Sequence, residues 1–265
     1  MKRRVFLRMS SLAGAAAAAG WPGAGVLSAQ ARGREYYELR VYEMPTGNRK
    51  AILNDYLSNA AIPAWNRMGI GPVGVFTVVS GSNALMLYVL IPYPDLATFE
   101  SAAGKLASDA EYQKAAAPYL GASIDNPAYT RYEGWLLHAF KTIPRLRVPA
   151  ETPEKAPRIF ELRVYESHSE AAAAKKIEMF NEGGEIALFD RIGLRPVFFG
   201  QTLAGPRQPN LVYMTVHRDM AAREKVWETF RNDEGWKKLS TDPAFANTVS
   251  ATTVIFLRPA AYSQI

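Results

Sequence analysis

Residues 37–43 read Tyr37-Glu38-Leu39-Arg40-Val41-Tyr42-Glu43, and residues 160–166 read Phe160-Glu161-Leu162-Arg163-Val164-Tyr165-Glu166. Six of the seven positions are identical and the other exchanges one aromatic for another. Moving outward, Ile62, Arg67, Gly69, Pro72 and Val73 recur as Ile186, Arg191, Gly193, Pro196 and Val197. Asp95-Leu96-Ala97 recurs as Asp219-Met220-Ala221, and Asp109, Tyr112 and Lys114 recur as Asp233, Trp236 and Lys238. The offset grows only from 123 to 124, so one inserted residue separates two copies of a whole domain. Between the copies, residues 141–158 hold Pro144, Pro149, Pro153 and Pro157, which continue neither a strand ladder nor a helix, and they read as a linker. The expected organisation is a leader over residues 1–31, a first domain over 35–140, the linker over 141–158 and a second domain over 159–265.

Each copy reads alike. Residues 36–43 alternate with the period of a strand, and residues 46–68 carry a helical pattern that Gly69 ends in a left-handed cap. Residues 73–79 and 85–90 are strand-like runs separated by Ser80-Gly81-Ser82-Asn83, which predicts a hairpin. Asp95 and Asp219 stand where an N-cap accepts from free helical N–H groups, and Asp109 and Asp233 are placed to cap a short final helix. Closing strands are expected near residues 130–137 and 252–257. The order β-α-β-β-α-β is the ferredoxin-like unit, twice over, in an α+β chain.

The Tyr-Glu-Leu-Arg-x-Tyr opening, the Gly-x-x-Pro-Val after the first helix and the Asp-Leu-Ala start of the second resemble the NIPSNAP family in both copies, over roughly residues 36–138 and 159–260. The resemblance implies the dimeric α/β barrel superfamily, in which two ferredoxin-like sheets close face to face. Here tandem copies let one chain form the barrel as a pseudo-dimer, with further oligomerisation open. It implies no settled activity; relatives in the superfamily include small monooxygenases, isomerases and haem-handling enzymes, an analogy of fold alone.

Composition narrows the function classes. At 48% hydrophobic and 21% charged, the chain is that of a globular protein. Its 31 basic and 25 acidic residues give +6, but Lys2, Arg3, Arg4 and Arg8 fall in the leader, which leaves +2. So weak a field speaks against nucleic acid as a partner. The absence of cysteine excludes disulfides, thiolate metal sites and a lipid-bearing cysteine, and three histidines, His138, His168 and His217, offer little for a metal centre. Neither a metal nor a cofactor is expected.

The leader has a charged start, an apolar middle around residues 12–19 and an Ala29-Gln30-Ala31 end, the layout of a secretory signal peptide cut after Ala31. Paired Arg3 and Arg4 followed by Phe6 and Leu7 resemble the twin-arginine class. Gly14, Gly20, Pro22, Gly23 and Gly25 interrupt the apolar run well short of the ~20 residues that span a bilayer. The expectation is export to the periplasm with no membrane span after leader removal.

Candidate chemistry sits on the repeated strand. A period of two puts Tyr37, Leu39 and Val41 on one face and Glu38, Arg40 and Tyr42 on the other. The apolar face must meet the helices, so that with the other face covered by the second copy Glu38, Arg40, Tyr42, Glu161, Arg163 and Tyr165 point into the barrel, joined by Arg131 and Glu133 of the neighbouring strand. His217, after Leu211, Tyr213 and Thr215, is aimed at the mouth of the same cavity, and His138 and His168 are expected to be exposed. The Glu and Arg pairs read in two ways: as groups that bind or polarise a small ligand, or as an ion-pair network that fixes how the halves dock. The tryptophans and tyrosines read as packing.

The functional expectation is an exported protein that binds, and in one version transforms, a small partly apolar molecule in the cavity between the halves. A non-enzymatic interaction module with a side-chain-filled barrel is the alternative. Haem binding through His217 is a further one.

Overall fold

A computed structural model describes residues 33–44, 50–79 and 85–265. The leader with Arg3, Arg4, Ala29 and Ala31, the start of the first helix and the hairpin turn at Ser80-Gly81-Ser82-Asn83 lie outside the described residues. The first copy runs β1 (Tyr36–Glu43), α1 (Lys50–Tyr56), a π-helical turn (Leu57–Ala61), α2 (Ile62–Arg67), β2 (Gly74–Val78), β3 (Met86–Tyr93), α3 (Leu96–Ser108), α4 (Ala110–Leu120) and β4 (Arg131–Ala139). The second runs β5 (Ile159–Glu166), α5 (Glu170–Asn181), α6 (Glu185–Ile192), β6 (Arg195–Ala204), β7 (Asn210–His217), α7 (Met220–Asn232), α8 (Glu234–Ser240) and β8 (Ala251–Pro259).

The repeated punctuation residues do what local chemistry asks of them. Asp95 accepts from Thr98 N–H and Asp219 from Ala222 N–H, each at 2.7 Å. Asp109 and Asp233 start α4 and α8 in the same way, and each also holds the arginine that ends the first helical segment, Arg67 at 2.6 Å and Arg191 at 2.8 Å. Gly69 and Gly193, at φ +75° and +78°, take the left-handed turn after it. The copies differ in that segment. The first is continuous through its π turn, whereas the second breaks at Gly183 and Gly184, the latter at φ +90°. The offset steps from 123 at Tyr165 to 124 at Ile186, so the inserted residue falls in the stretch that holds the break.

The eight strands close into one antiparallel barrel in the order β1-β3-β2-β8-β5-β7-β6-β4. Each copy contributes four strands in ferredoxin-like order, and the seams are reciprocal: β2 pairs β8, and β4 pairs β6. At the second seam a Cβ on Gly200 would stand 2.8 Å from Leu137 Cβ, so close approach there requires glycine. Residues Gly33–Ile265 form one compact unit, and among the described residues no helix is long and apolar enough to cross a membrane.

Burial corrects the expected facing of the strands. Tyr37, Leu39, Phe76, Leu90, Trp135, Leu137, Phe160, Leu162, Val164, Phe198, Val212, Met214, Val216, Ile255 and Leu257 form a single apolar cluster drawn from all eight strands, which is the barrel interior. The ring of Tyr37 meets Phe198 at 5.2 Å, and that of Phe76 meets Phe160 at 4.8 Å, so each pair joins the two halves. Tyr42 packs instead with Leu53, Tyr56, Leu57 and Trp65 of the overlying helices, and Tyr213 packs with Phe180, Phe189, Trp227 and Phe230. The face that carries Glu38, Arg40 and Tyr42, and likewise Glu161, Arg163, Tyr165 and His217, is therefore the outer face beneath the helices. In a closed barrel with helices outside, both strand faces are covered. Alternation then separates two faces without saying which one looks inward.

Candidate functional site

The two copies of the Glu-x-Arg-x-Tyr strand can be compared position by position. In the first half, Arg40 donates to Glu38 Oε1 at 2.6 Å and Oε2 at 3.0 Å, and to Tyr42 Oη at 3.3 Å. Tyr93 O–H completes the carboxylate at 2.9 Å. Tyrosines cover this group: Tyr132 lies 5.1 Å and Tyr129 5.3 Å from the Tyr42 ring, and Arg40 sits 5.8 Å from the centre of Tyr132. Every member has an apolar or hydrogen-bonding neighbour, as a structural ion pair requires.

The second half keeps the motif and changes what surrounds it. Glu161 is fully buried and takes Arg163 Nε at 2.7 Å, Arg223 Nη2 at 2.8 Å and Nε at 3.0 Å, and Trp227 Nε1 at 2.7 Å. Arg223 and Trp227 stand four and eight residues after the α7 cap. Phe99 and Ala103 hold those places after the α3 cap. Burial by itself raises the Glu161 carboxyl, but hydrogen bonds from His217 and Arg223, the Arg163 charge and the Trp227 N–H overcome it and hold it well below the ordinary carboxylate range. Arg163 also donates to Tyr165 Oη at 2.9 Å, and the Tyr165 and Tyr213 hydroxyls share a hydrogen bond of 2.8 Å. By register Tyr213 faces Arg163 as Val89 faces Arg40.

A second charged pair lies beside it. Lys176 of α5 donates to Glu185 of α6 at 2.7 Å, with side chains 6% and 3% exposed. Desolvation raises the Glu185 carboxyl against the pull of the Lys176 charge. Lys176 occupies the buried stripe of α5 between Ala173 and Phe180, three and four residues away, where a helix ordinarily carries an apolar side chain. The corresponding stripe over Tyr42 is Leu53, Tyr56, Leu57 and Ala60.

Between these groups and solvent is a cleft of about 350 Å³, lined by Arg163, Tyr165, Lys176, Glu185, Trp227, Trp236 and their neighbours Phe230, Arg231, Val249 and Thr252. One strand position at its edge differs between the copies. Tyr132 pairs with Tyr42 in β4, and the residue that pairs with Tyr165 in β8 is Thr252. Where the first copy packs a tyrosine ring against the motif, the second has the shorter threonine. Arg163 lies against Trp227, 4.0 Å from the ring centre, and of its five N–H donors three are engaged. Within the cluster Arg163, Lys176, Arg223 and Arg231 outnumber the carboxylates Glu161 and Glu185, with Glu224 joining Arg223 from the solvent side. Surplus positive charge, two indole walls and a volume within the small-molecule range can hold an apolar anion.

The remaining sequence candidates fall elsewhere. Arg131 and Glu133 are on the barrel-side face of β4 but at its rim, where Arg131 meets Glu43 at 3.2 Å and both line a recess of about 160 Å³ with Tyr88, Trp135 and Arg207. His217 is buried beneath α7. Its Nε2 shares a hydrogen with Thr215 Oγ1 at 2.9 Å and stands 3.4 Å from Glu161, so this nitrogen is committed inside the network. His168 is exposed, whereas His138 is half-buried, stacked on Tyr36 at 4.4 Å. Among the described residues no group of histidine, aspartate and glutamate is placed to hold a metal. Sequence reasoning missed Lys176, Glu185, Arg223 and Thr252; Lys176 on a buried stripe was the one available signal.

Comparison with known proteins agrees with this architecture. A provisionally assigned monooxygenase from Lactobacillus acidophilus superposes with a TM-score of 0.55 at 10% identity, covering 85% of this chain and 94% of that one. A second protein of the same provisional assignment, from Fusobacterium nucleatum, gives 0.53 at 11% identity, covering 86% and 93%. Identities so low speak for the fold alone. An uncharacterized NIPSNAP-like domain protein from Burkholderia xenovorans is 19% identical over 40% of this chain and 88% of its own, with a TM-score of 0.36. No curated protein matches the sequence. The NIPSNAP profile matches residues 37–126, from β1 through α4, and residues 160–264, a whole βαββαβ unit, and the chain therefore belongs to the NIPSNAP family.

Proposed function

We propose that the protein binds a small, partly apolar anion, such as an aromatic carboxylate, in the cleft over Arg163 in its second half. The observation that carries this reading is the contrast between the copies. In the first half tyrosine rings pack over the Glu-Arg-Tyr motif, while in the second Thr252 stands at the matching strand position and a cleft lined by Arg163, Lys176, Trp227 and Trp236 borders the motif. The ligand's anionic group meets the free N–H donors of Arg163 and Lys176, and its apolar body lies between the indoles. The barrel interior supports a scaffold role, since apolar side chains from all eight strands occupy it.

The test is quenching of tryptophan fluorescence by 1-naphthoate, with 1-naphthalenemethanol as the uncharged control. Saturable quenching by the acid, lost in Thr252→Tyr, is expected. Equal binding of acid and alcohol, or binding untouched in Thr252→Tyr, would refute the assignment. We also propose, from the leader sequence, export by the twin-arginine route; Arg3→Lys with Arg4→Lys then retains the protein in the cytoplasm, and unchanged periplasmic recovery on fractionation counts against it.

A further inference from the structure

At the barrel end opposite the Glu133 rim, the last residues of the linker, the start of β5, the α7 cap and the end of β8 surround a groove of about 590 Å³. Its walls include Ile159, Met220, Pro259 and Ala260, and its charged residues include Lys155, Arg158, Arg218 and Arg258. Arg158 is the unusual member. It is 7% exposed, its Nη1 donates to the Ala156 carbonyl at 2.9 Å, and its buried Nε has no hydrogen-bond partner. Among the described residues no carboxylate stands within ion-pair distance of it. Glu151, whose charge reaches Arg158, gives one oxygen to Arg195 at 2.5 Å and keeps the other, Oε2, buried without a partner, and Asp219 is engaged by Arg218 at 3.0 Å and by the α7 cap. A guanidinium withdrawn from water without a direct ion pair is costly, and a bound anion in contact with it would offset that cost.

We propose that this groove is a second ligand site, which holds an oxyanion headgroup on Arg158 and a short aliphatic body along Ile159, Met220 and Pro259. Lys155 and Arg258, both exposed, draw the anion in without fixing its position. The reading is independent of the Arg163 cleft, which lies beneath the helices of the second half and shares no lining residue with the groove. Carboxylate and phosphate headgroups share the required chemistry, so the probes separate them.

Isothermal titration calorimetry on the full chain, with octanoate, octyl phosphate, inorganic phosphate and 1-octanol, tests the assignment. Octanoate or octyl phosphate is expected to bind with one site per chain, at least tenfold more tightly than inorganic phosphate, and 1-octanol not at all. Arg158→Gln should weaken that binding at least tenfold, and the exposed Arg258→Gln by a few fold in a protein whose fold is unaltered. Binding should persist in Thr252→Tyr, which closes the other cleft. If neither amphiphile binds, if 1-octanol binds as well as octanoate, or if a folded Arg158→Gln binds like the parent, the site is refuted. Loss in Thr252→Tyr assigns the anion to the Arg163 cleft and equally overturns the groove.

Discussion

The ring of Tyr132 lies 5.1 Å from that of Tyr42, and Thr252 takes the place of Tyr132 opposite Tyr165. The same arginine therefore lies under a tyrosine ring in one half and borders a cleft in the other, with its side chain no more exposed there, 14% against 20%. Arg163→Met should abolish quenching by 1-naphthoate, whereas Arg40→Met, an identical change in the same motif, should leave the affinity within about twofold, since 1.4 kcal/mol is a factor of ten and Arg40 is remote from the ligand. Equal losses in the two variants would show that the substitutions act through the fold.

Lys176 and Glu185 make a buried pair that an apolar core would not need. Removing one partner strands the other, so Lys176→Met should cost roughly 3–5 kcal/mol of unfolding free energy, while Lys176→Met combined with Glu185→Leu should recover most of it. The pH dependence has a definite sign. Burial already raises Glu185 above its ordinary 4.5, and losing the lysine raises it further. A carboxyl raised in the folded state favours folding fully below its unfolded pKa and loses that advantage as pH rises through the folded value. The single variant should thus be less destabilised at pH 5 than at pH 8 in urea unfolding, and a deficit independent of pH would contradict the buried carboxylate.

Glu161 has the opposite sign. Its folded carboxyl is depressed, so its contribution is complete above the ordinary 4.5 and is lost as pH falls from there toward the folded value. Wild type should exceed Glu161→Gln in melting temperature at pH 7, and the gap should shrink on acidification below about pH 4.5. The surface caps Asp95, Asp109, Asp219 and Asp233 are also depressed but are present in both proteins, so the difference isolates Glu161. A gap that stays constant to pH 3 would exclude this carboxylate as the titrating group.

The duplication makes the fold legible in the sequence. Matching Tyr37–Glu43 to Phe160–Glu166 aligned two strands, and Gly69, Asp95 and Asp109 with their repeats marked where helices stop and start. The facing of the strand was not legible, because Tyr37 and Leu39 are as apolar as a lumen requires and as a helix interface requires. What decides it is remote. Arg223 and Trp227 reach Glu161 from α7, 62 and 66 residues away, and Tyr93 reaches Glu38 across 55. The cleft was hidden for a similar reason, since Thr252 in β8 reads as an ordinary strand residue until its register with Tyr165 is known.

The repeated arginine and aspartate pairs yield the last expectation. Asp109 and Asp233 each accept from the N–H groups of the helix they start and from an arginine that ends the first helical segment of the same half. Loss of such a cap leaves helical N–H groups without their acceptor, and the exposed ion pair adds little in high dielectric. Asp109→Ala and Asp233→Ala should therefore each lower the melting temperature and, being in different halves with no shared partner, should have additive effects in the double variant. Chemical denaturation with a single transition would show both halves unfolding together, as the seams β2·β8 and β4·β6 demand. Two resolved transitions in the double variant would mean that each copy holds its own strands without the other, and that barrel closure contributes little to stability.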